Sequence, residues 1–194
     1  MIMSLSQLTP SANGSRLAPV ESRYAPLFSF ALLTVSCALA SFALACATPF
    51  AAFAVIAAAM LPLRPALLVV TGAWLVNQGI GFGALHYPID GNTMLWGAAI
   101  GIAALAATAA ASAVMRSLPQ SGTPLVLALA LVCGYGVYEV ALLAATPFLG
   151  GAGDFTAAIV AQIGFSNVAW LIGLVAVCEI VRLVNPFKRG HTVS

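Results

Sequence analysis

The sequence predicts an all-α integral membrane protein: a six-transmembrane-helix bundle with the N-terminus and C-terminus both cytoplasmic. Three observations predict it. Of 194 residues, 62% are hydrophobic and only 6% charged, with a mean hydropathy of +1.06. A soluble domain carries about a quarter charged residues, so this chain has too few to cover a water-facing surface. Apolar runs of membrane-crossing length recur along it. Its few cations, finally, fall in alternate connections.

Residues 1–24 are polar, rich in Ser, Pro and Asn, and read as a disordered cytoplasmic tail. Arg16 and Arg23 precede an apolar run at 26–46, a pattern that resembles a signal peptide. The run is longer than a signal core and a second apolar segment follows directly, so it reads as the first span. A span needs about 20 apolar residues. Runs at 66–83, 93–115, 124–148 and 156–184 qualify as well. The segment "TPFAAFAVIAAAMLPL", residues 48–63, is short and ends at Pro62-Leu63-Arg64-Pro65. It has three readings: a sixth span, a re-entrant arm, or half of one kinked helix continuing to residue 83.

The charges decide among them. With six spans and a cytoplasmic N-terminus, Arg16, Arg23, Arg64, Arg116, Lys188 and Arg189 all fall in cytoplasmic connections or tails. The seventh cation, Arg182, lies near the cytoplasmic end of the last helix, and the external connections hold only His86, Asp90 and Asp154. That is a complete positive-inside pattern; merging the second and third segments would send Lys188 and Arg189 outside. The membrane domain then covers 25–185, followed by a basic cytoplasmic tail at 186–194. The short second span requires either a thinned bilayer or neighbours that cover its ends.

Polar side chains concentrate in the outer half. Trp74, Asn77, Gln78 and Gly81 follow i, i+3, i+4, i+7 spacing and share a face of the third span. The loop after it supplies His86, Tyr87, Asp90 and Asn92, and Trp96 opens the fourth span. Tyr135, Tyr138 and Glu139 share a face of the fifth. Gln162, Ser166 and Trp170 recur at four-residue spacing on the sixth, with Asn167 beside them. These groups read as the wall and lid of an outward-facing substrate pocket. Each also has a plainer use: aromatics as interfacial belt residues, amides as interhelical hydrogen-bond partners, glycines as packing notches. Glu139 is the least dismissible, because an ionisable group at that depth costs about 2.5–3.5 kcal/mol and calls for a partner, a proton or a ligand. On the inner side Glu179 and Arg182, one turn apart, suit a local ion pair.

Other classes are excluded or weak. Seven Lys/Arg against five acids are too few for nucleic-acid binding. Cys37, Cys46, Cys133 and Cys178 lack C-x-x-C spacing and suggest neither disulfides nor zinc. No nucleophile–base pair, H-E-x-x-H or phosphate loop points to an enzyme, and no intrinsic cofactor is implied.

Six helices, cytoplasmic ends and an outward pocket together resemble the S-components of energy-coupling-factor vitamin transporters. The resemblance implies a vitamin-like small-molecule substrate capped by the turn at Ala47, Thr48 and Pro49, the loop at 82–92 and "LGGAGDF" at 149–155. It implies an energising transporter module as partner, docked on small residues of the first helix, for which Ser36/Ala40 and Ser41/Ala45 are the loose counterparts. The chain is also similar to the solitary cobalamin-transporting branch of that superfamily, which implies a bacterial cytoplasmic (inner) membrane location and cobalamin as substrate. On that reading His86 is the candidate axial ligand to cobalt, with Cys46 the weaker one. Thiamine or another cationic heterocycle is an equal alternative, held by Glu139 with Trp74, Trp96, Tyr135 and Tyr138. The rival reading is a non-transporting subunit or assembly factor of a larger membrane complex.

Overall fold

The computed structural model describes residues 15–44 and 47–184. Cys46, Lys188 and Arg189 therefore lie outside the described residues, as does the expected tail at 186–194. Among the described residues there are six α-helices: α1 (Ala25–Leu44), α2 (Phe50–Met60), α3 (Leu63–Gly83), α4 (Gly91–Ser117), α5 (Thr123–Leu149) and α6 (Ala157–Val184). All but α2 are long and apolar enough to cross a membrane.

Side-chain contacts fix the helix directions. Cys37 meets the carbonyl of Ala73 and Asn77 meets Ser41, so α1 and α3 run parallel. Ser29 reaches the Met60 sulfur while Asn77 reaches Thr48, so α2 runs back against both. Asn167 bonds Ala52 and Cys178 faces Met60, which aligns α6 with α2. Trp74 and Gln78 lie against Gly101 and Gly97 respectively, and α4 is antiparallel to α3. The five-residue connection at 118–122 returns the chain into α5. The start of α1 and the end of α6 consequently share one end of the bundle, with Arg16; Asp90 marks the other.

The second helix departs from the sequence expectation. It has 11 residues, which rise only about 16 Å, roughly half a hydrocarbon core. It reverses the chain as a sixth span would, without the length to cross alone. Every residue of it is buried except the half-buried Ala58. The sequence "FAAFAVIAAAM" contains no polar side chain, and a helix apolar on every face belongs in a core. Its alanines let α3, α4, α5 and α6 approach closely, and it becomes the axis around which the long helices pack. Covering neighbours thus explain its shortness, and no thinned bilayer is required. Leu61 and Pro62 end it: extended Leu61 donates to Ala57 O, and Pro62 opens α3.

Part of the expected tail is also built into the fold. Arg16 and Leu17 both donate their backbone N–H to Ala59 O, at 2.7 and 3.1 Å. The Arg16 guanidinium donates to the carbonyls of Ser121 (2.7 Å), Met115 (3.4 Å) and Leu118. The last carbonyls of a helix have no partner of their own, and this one side chain serves the end of α4 as the backbone of residues 16–17 serves the end of α2.

The remaining helices each bury one stripe. On α6 it is Asn167, Leu171, Leu174 and Cys178, while Phe165, Ile172 and Val184 stay exposed to the surroundings. Exposed apolar side chains on α1, α4 and α5 continue that outer surface, as bilayer contact requires.

Candidate functional site

The start of α2 organises the polar groups of the Asp90 end. Its first N–H groups lie in the middle of the bundle, away from water, and need acceptors. Asn167 on α6 supplies one: its Oδ1 accepts from Ala52 N–H at 3.0 Å, and its Nδ2 donates to Ile163 O at 3.0 Å. Asn167 is only 2% exposed, so both halves of the amide are used where water has no access. Thr48, just before α2, accepts from Asn77 Nδ2 at 3.0 Å, and the same nitrogen donates to Ser41 Oγ at 2.9 Å. Gln78 Nε2 completes the layer by donating to Asn77 Oδ1 at 3.0 Å. The predicted amides therefore tie α1, α2 and α3 together, and Gln78 lies against Gly97 of α4, where a side chain would collide with it.

The other predicted residues fall into separate seams. Trp74 donates its indole N–H to Gly97 O at 2.9 Å and lays its ring over Gly101, between α3 and α4. Trp170 packs edge-on against Phe53 of α2, ring centres 6.1 Å apart. Tyr135 donates to Val160 O at 2.5 Å and faces Gly164, between α5 and α6. Glu139 lies one turn along α5 from Tyr135, half-buried, with its Oε1 shielded from solvent and without a hydrogen-bond partner among the described residues. Tyr138 turns into the core at 5% exposure. Trp74 and Tyr135 thus occupy different seams, and the aromatic residues do not form one continuous cage.

At the rim, Tyr87 stacks edge-on against Phe82 (6.4 Å) and covers Gly81, whose missing side chain makes the room. Leu85 and Tyr87 return N–H donors to Ile80 and Gly81, and between them His86 is exposed with φ +53°. This left-handed conformation is strained for a residue with a Cβ. Asp90 caps α4, accepting from Thr93 N–H at 2.9 Å and from the Thr93 hydroxyl at 3.0 Å. Those two donors hold its carboxyl below the usual carboxylate range. Asn92 and Gln162 are exposed, and Trp96 is half-buried in the second turn of α4.

Above the amide layer the packing between the long helices thins. Asn167, level with the start of α2, lies ten residues into α6, about 15 Å below its beginning. Ala157, Ala158, Ile159, Ala161 and Gln162 are all exposed, while Val160, Ile163 and Gly164 are half-buried on the face that meets Tyr135. Gly91, Asn92, Met94 and Leu95 on α4 are exposed too, as are Leu143, Ala144, Pro147 and Phe148 near the end of α5. Asn77, Gln78 and Asn167 form a packed polar layer beneath these turns, with the Phe53–Trp170 pair below it and only smaller contacts such as Tyr87 on Gly81 and Tyr135 on Gly164 above.

Sequence reasoning did not anticipate Ser41 and Thr48 as acceptors, nor the role of Arg16. A hydroxyl on an apolar helix carries no signal of its partner, and Arg16 looked like one more charge in a polar tail. The small residues of α1 also face differently from the resemblance-based expectation. Ser36, Ala40 and Ser41 are buried inside the bundle and pack this chain's own helices, and Ala45 lies outside the described residues. No group of three potential metal-ligating side chains exists among the described residues. No protein-family model matches the chain, and neither a curated protein nor a solved structure is similar enough to match it.

Proposed function

We propose that the chain is a membrane solute-binding and uptake protein of S-component type. On this reading it takes a vitamin-like heterocycle, cobalamin or a comparable vitamin, from the Asp90 side of the membrane. The observation that carries the proposal is the contrast along the bundle axis. A solid core surrounds α2, while the turns of α4, α5 and α6 beyond Phe50 are largely exposed, with Val160, Gly164 and Thr146 among the few residues there that stay covered. Loosely packed turns above a layer of amides and aromatics suit a ligand fixed by few polar groups against apolar walls, and on this reading they form a cup around it.

Charge supplies the orientation. Arg16, Arg23, Arg64 and Arg116 gather at the end opposite Asp90, which the positive-inside rule assigns to the cytoplasm. The cup then opens outward in a bacterial inner membrane. His86, exposed on a rim loop, is positioned to offer an imidazole to the cobalt of a bound cobalamin. Burial of Ser36, Ala40 and Ser41 takes three of the small residues expected to dock an energising module out of reach, which supports the solitary branch of the superfamily.

The test is thermal unfolding of the detergent-purified chain with and without cobalamin and thiamine, repeated on His86→Ala and Trp170→Ala. Stabilisation by one vitamin that is lost in Trp170→Ala supports the cup; further loss in His86→Ala for cobalamin supports the axial ligand. No stabilisation by any vitamin, together with a protein co-purifying in fixed ratio, overturns the proposal in favour of a structural subunit.

A further inference from the structure

A cavity of about 870 Å³ lies at the Arg16 end, far from the amide layer. Residues 15–26 form one wall; the end of α2, the start of α3 and the last turns of α4 form the others. Its volume is that of a small-molecule site. Apolar side chains such as Met60, Leu61 and Met115 make up most of its lining, and Ser112, Arg116, Arg16 and Glu21 supply polar groups.

Ser112 is the informative one. It is 5% exposed, and its hydroxyl has no hydrogen-bond partner. Four other helical hydroxyls bond the carbonyl four residues earlier, Ser29 to Ala25, Thr71 to Leu67, Thr108 to Ala104 and Ser117 to Ala113, while Thr34 on α1 shares the lack of a partner but lines no part of this cavity. Ser112 forgoes that ordinary solution although it lies on the same helix as two of them. Arg116 follows one turn later and therefore shares its face of α4. Its guanidinium has no ion pair among the described residues, whereas Glu21 is matched by Arg23 at 2.8 Å. Arg16 adds a second positive charge, anchored by the carbonyls at the end of α4. Two cations, an unspent hydroxyl and an apolar wall describe a receptor for an anion attached to something greasy.

We propose that this cavity binds a phosphate-bearing group, with Arg116 and Ser112 donating to its oxygens and residues 15–26 closing over it. Guanidinium is the side chain best suited to phosphate, and basic pockets between membrane helices commonly hold anionic headgroups. A phospholipid headgroup and a soluble phosphate ester carry the same chemistry, and the experiment separates them.

Native mass spectrometry of the full chain, released from nanodiscs containing phosphatidylcholine and phosphatidylglycerol, reads the lipid source. Thermal shift in lipid-free detergent with glycerol 3-phosphate reads the soluble one. Selective retention of phosphatidylglycerol, or stabilisation by glycerol 3-phosphate, is the expected result in one arm. Ser112→Ala and Arg116→Gln should each weaken it roughly tenfold, the loss of one charge-assisted hydrogen bond. Both variants change residues without partners in the fold, and their unfolding in phosphatidylcholine alone checks that they remain intact. Binding in neither arm, or equal binding by wild type and both variants, overturns the proposal.

Discussion

Replacing Asn167 by Leu tests whether α2 is held at its start by a side chain from another helix. Leu keeps the branched Cγ of Asn but has no acceptor, so the change leaves the Ala52 N–H without its partner and creates no empty space, its bulkier methyls adding some crowding. That N–H sits beside a residue only 2% exposed, where water cannot take over. Stranding a buried donor costs about 1–3 kcal/mol. Hydrogen bonds between membrane helices average nearer 0.6 kcal/mol and reach about 1.7, so the lower half of that range is expected, about 1–1.7 kcal/mol. For a chain of this size each kcal/mol lowers the unfolding midpoint by about 2–4 °C. Thermal unfolding in a mild detergent should therefore show a midpoint roughly 2–7 °C below wild type. An unchanged midpoint would mean that α2 is positioned by packing alone, and the polar layer would lose its structural role.

Four further outcomes follow from other contacts. Gly101→Ala should destabilise the protein by about 1–3 kcal/mol through overpacking, because a Cβ there meets the Trp74 ring at 2.7 Å; Gly79→Ala, with nothing within 4 Å, should instead stabilise by up to about 1 kcal/mol. Parallel thermal melts of the two variants would show the opposite signs. His86→Gly should stabilise by about 1 kcal/mol in the absence of ligand, by relieving the left-handed backbone at φ +53°, and the same melts read it. Arg16→Ala should free residues 15–24 from the ends of α2 and α4, seen as faster amide exchange at Leu17, whose N–H bonds Ala59 O; unchanged exchange would mean that the guanidinium contacts hold nothing. Asp90 titrates below its ordinary value, so its contribution to capping α4 is complete above the unfolded carboxylate pKa of about 3.9 and is lost as pH falls through the lower folded value. Amide exchange at Thr93 should accelerate only in that acidic window, and Asp90→Asn should abolish the dependence.

The long helices were legible because their signal is local. An apolar run of span length can hardly do anything else, and α4, α5 and α6 fall where those runs lie. Asp90 as a helix cap also needs only its neighbours, three residues away. What stayed hidden depends on contacts distant along the chain. Asn77 looked equally suited to a ligand and to a neighbouring helix, and the difference is made by Ser41 and Thr48, 36 and 29 residues earlier. Arg16 finds its carbonyl acceptors about a hundred residues on, which no pattern in residues 1–24 could announce. Glu139 keeps the ambiguity it had in the sequence, since one of its oxygens is buried and still without a partner.

The shortness of α2 links these observations. A full-length sixth helix would carry the core from one end of the bundle to the other and leave no recess at either. An 11-residue helix fills only the middle and leaves chain ends with orphaned backbone groups at both levels. At one level those groups recruit Asn167 and place the amide layer beneath loosely packed turns; at the other they recruit residues 16–17 and draw the N-terminal segment across a cavity. Lengthening α2 by one alanine-rich turn after Leu61 should accordingly displace the 15–24 segment and collapse the cavity at that end, while the pairing of Asn167 with Ala52 stays intact. Loss of the Asn167 contact in that variant, detected as the same midpoint drop that Asn167→Leu produces, would show that the two ends of the helix are not independent.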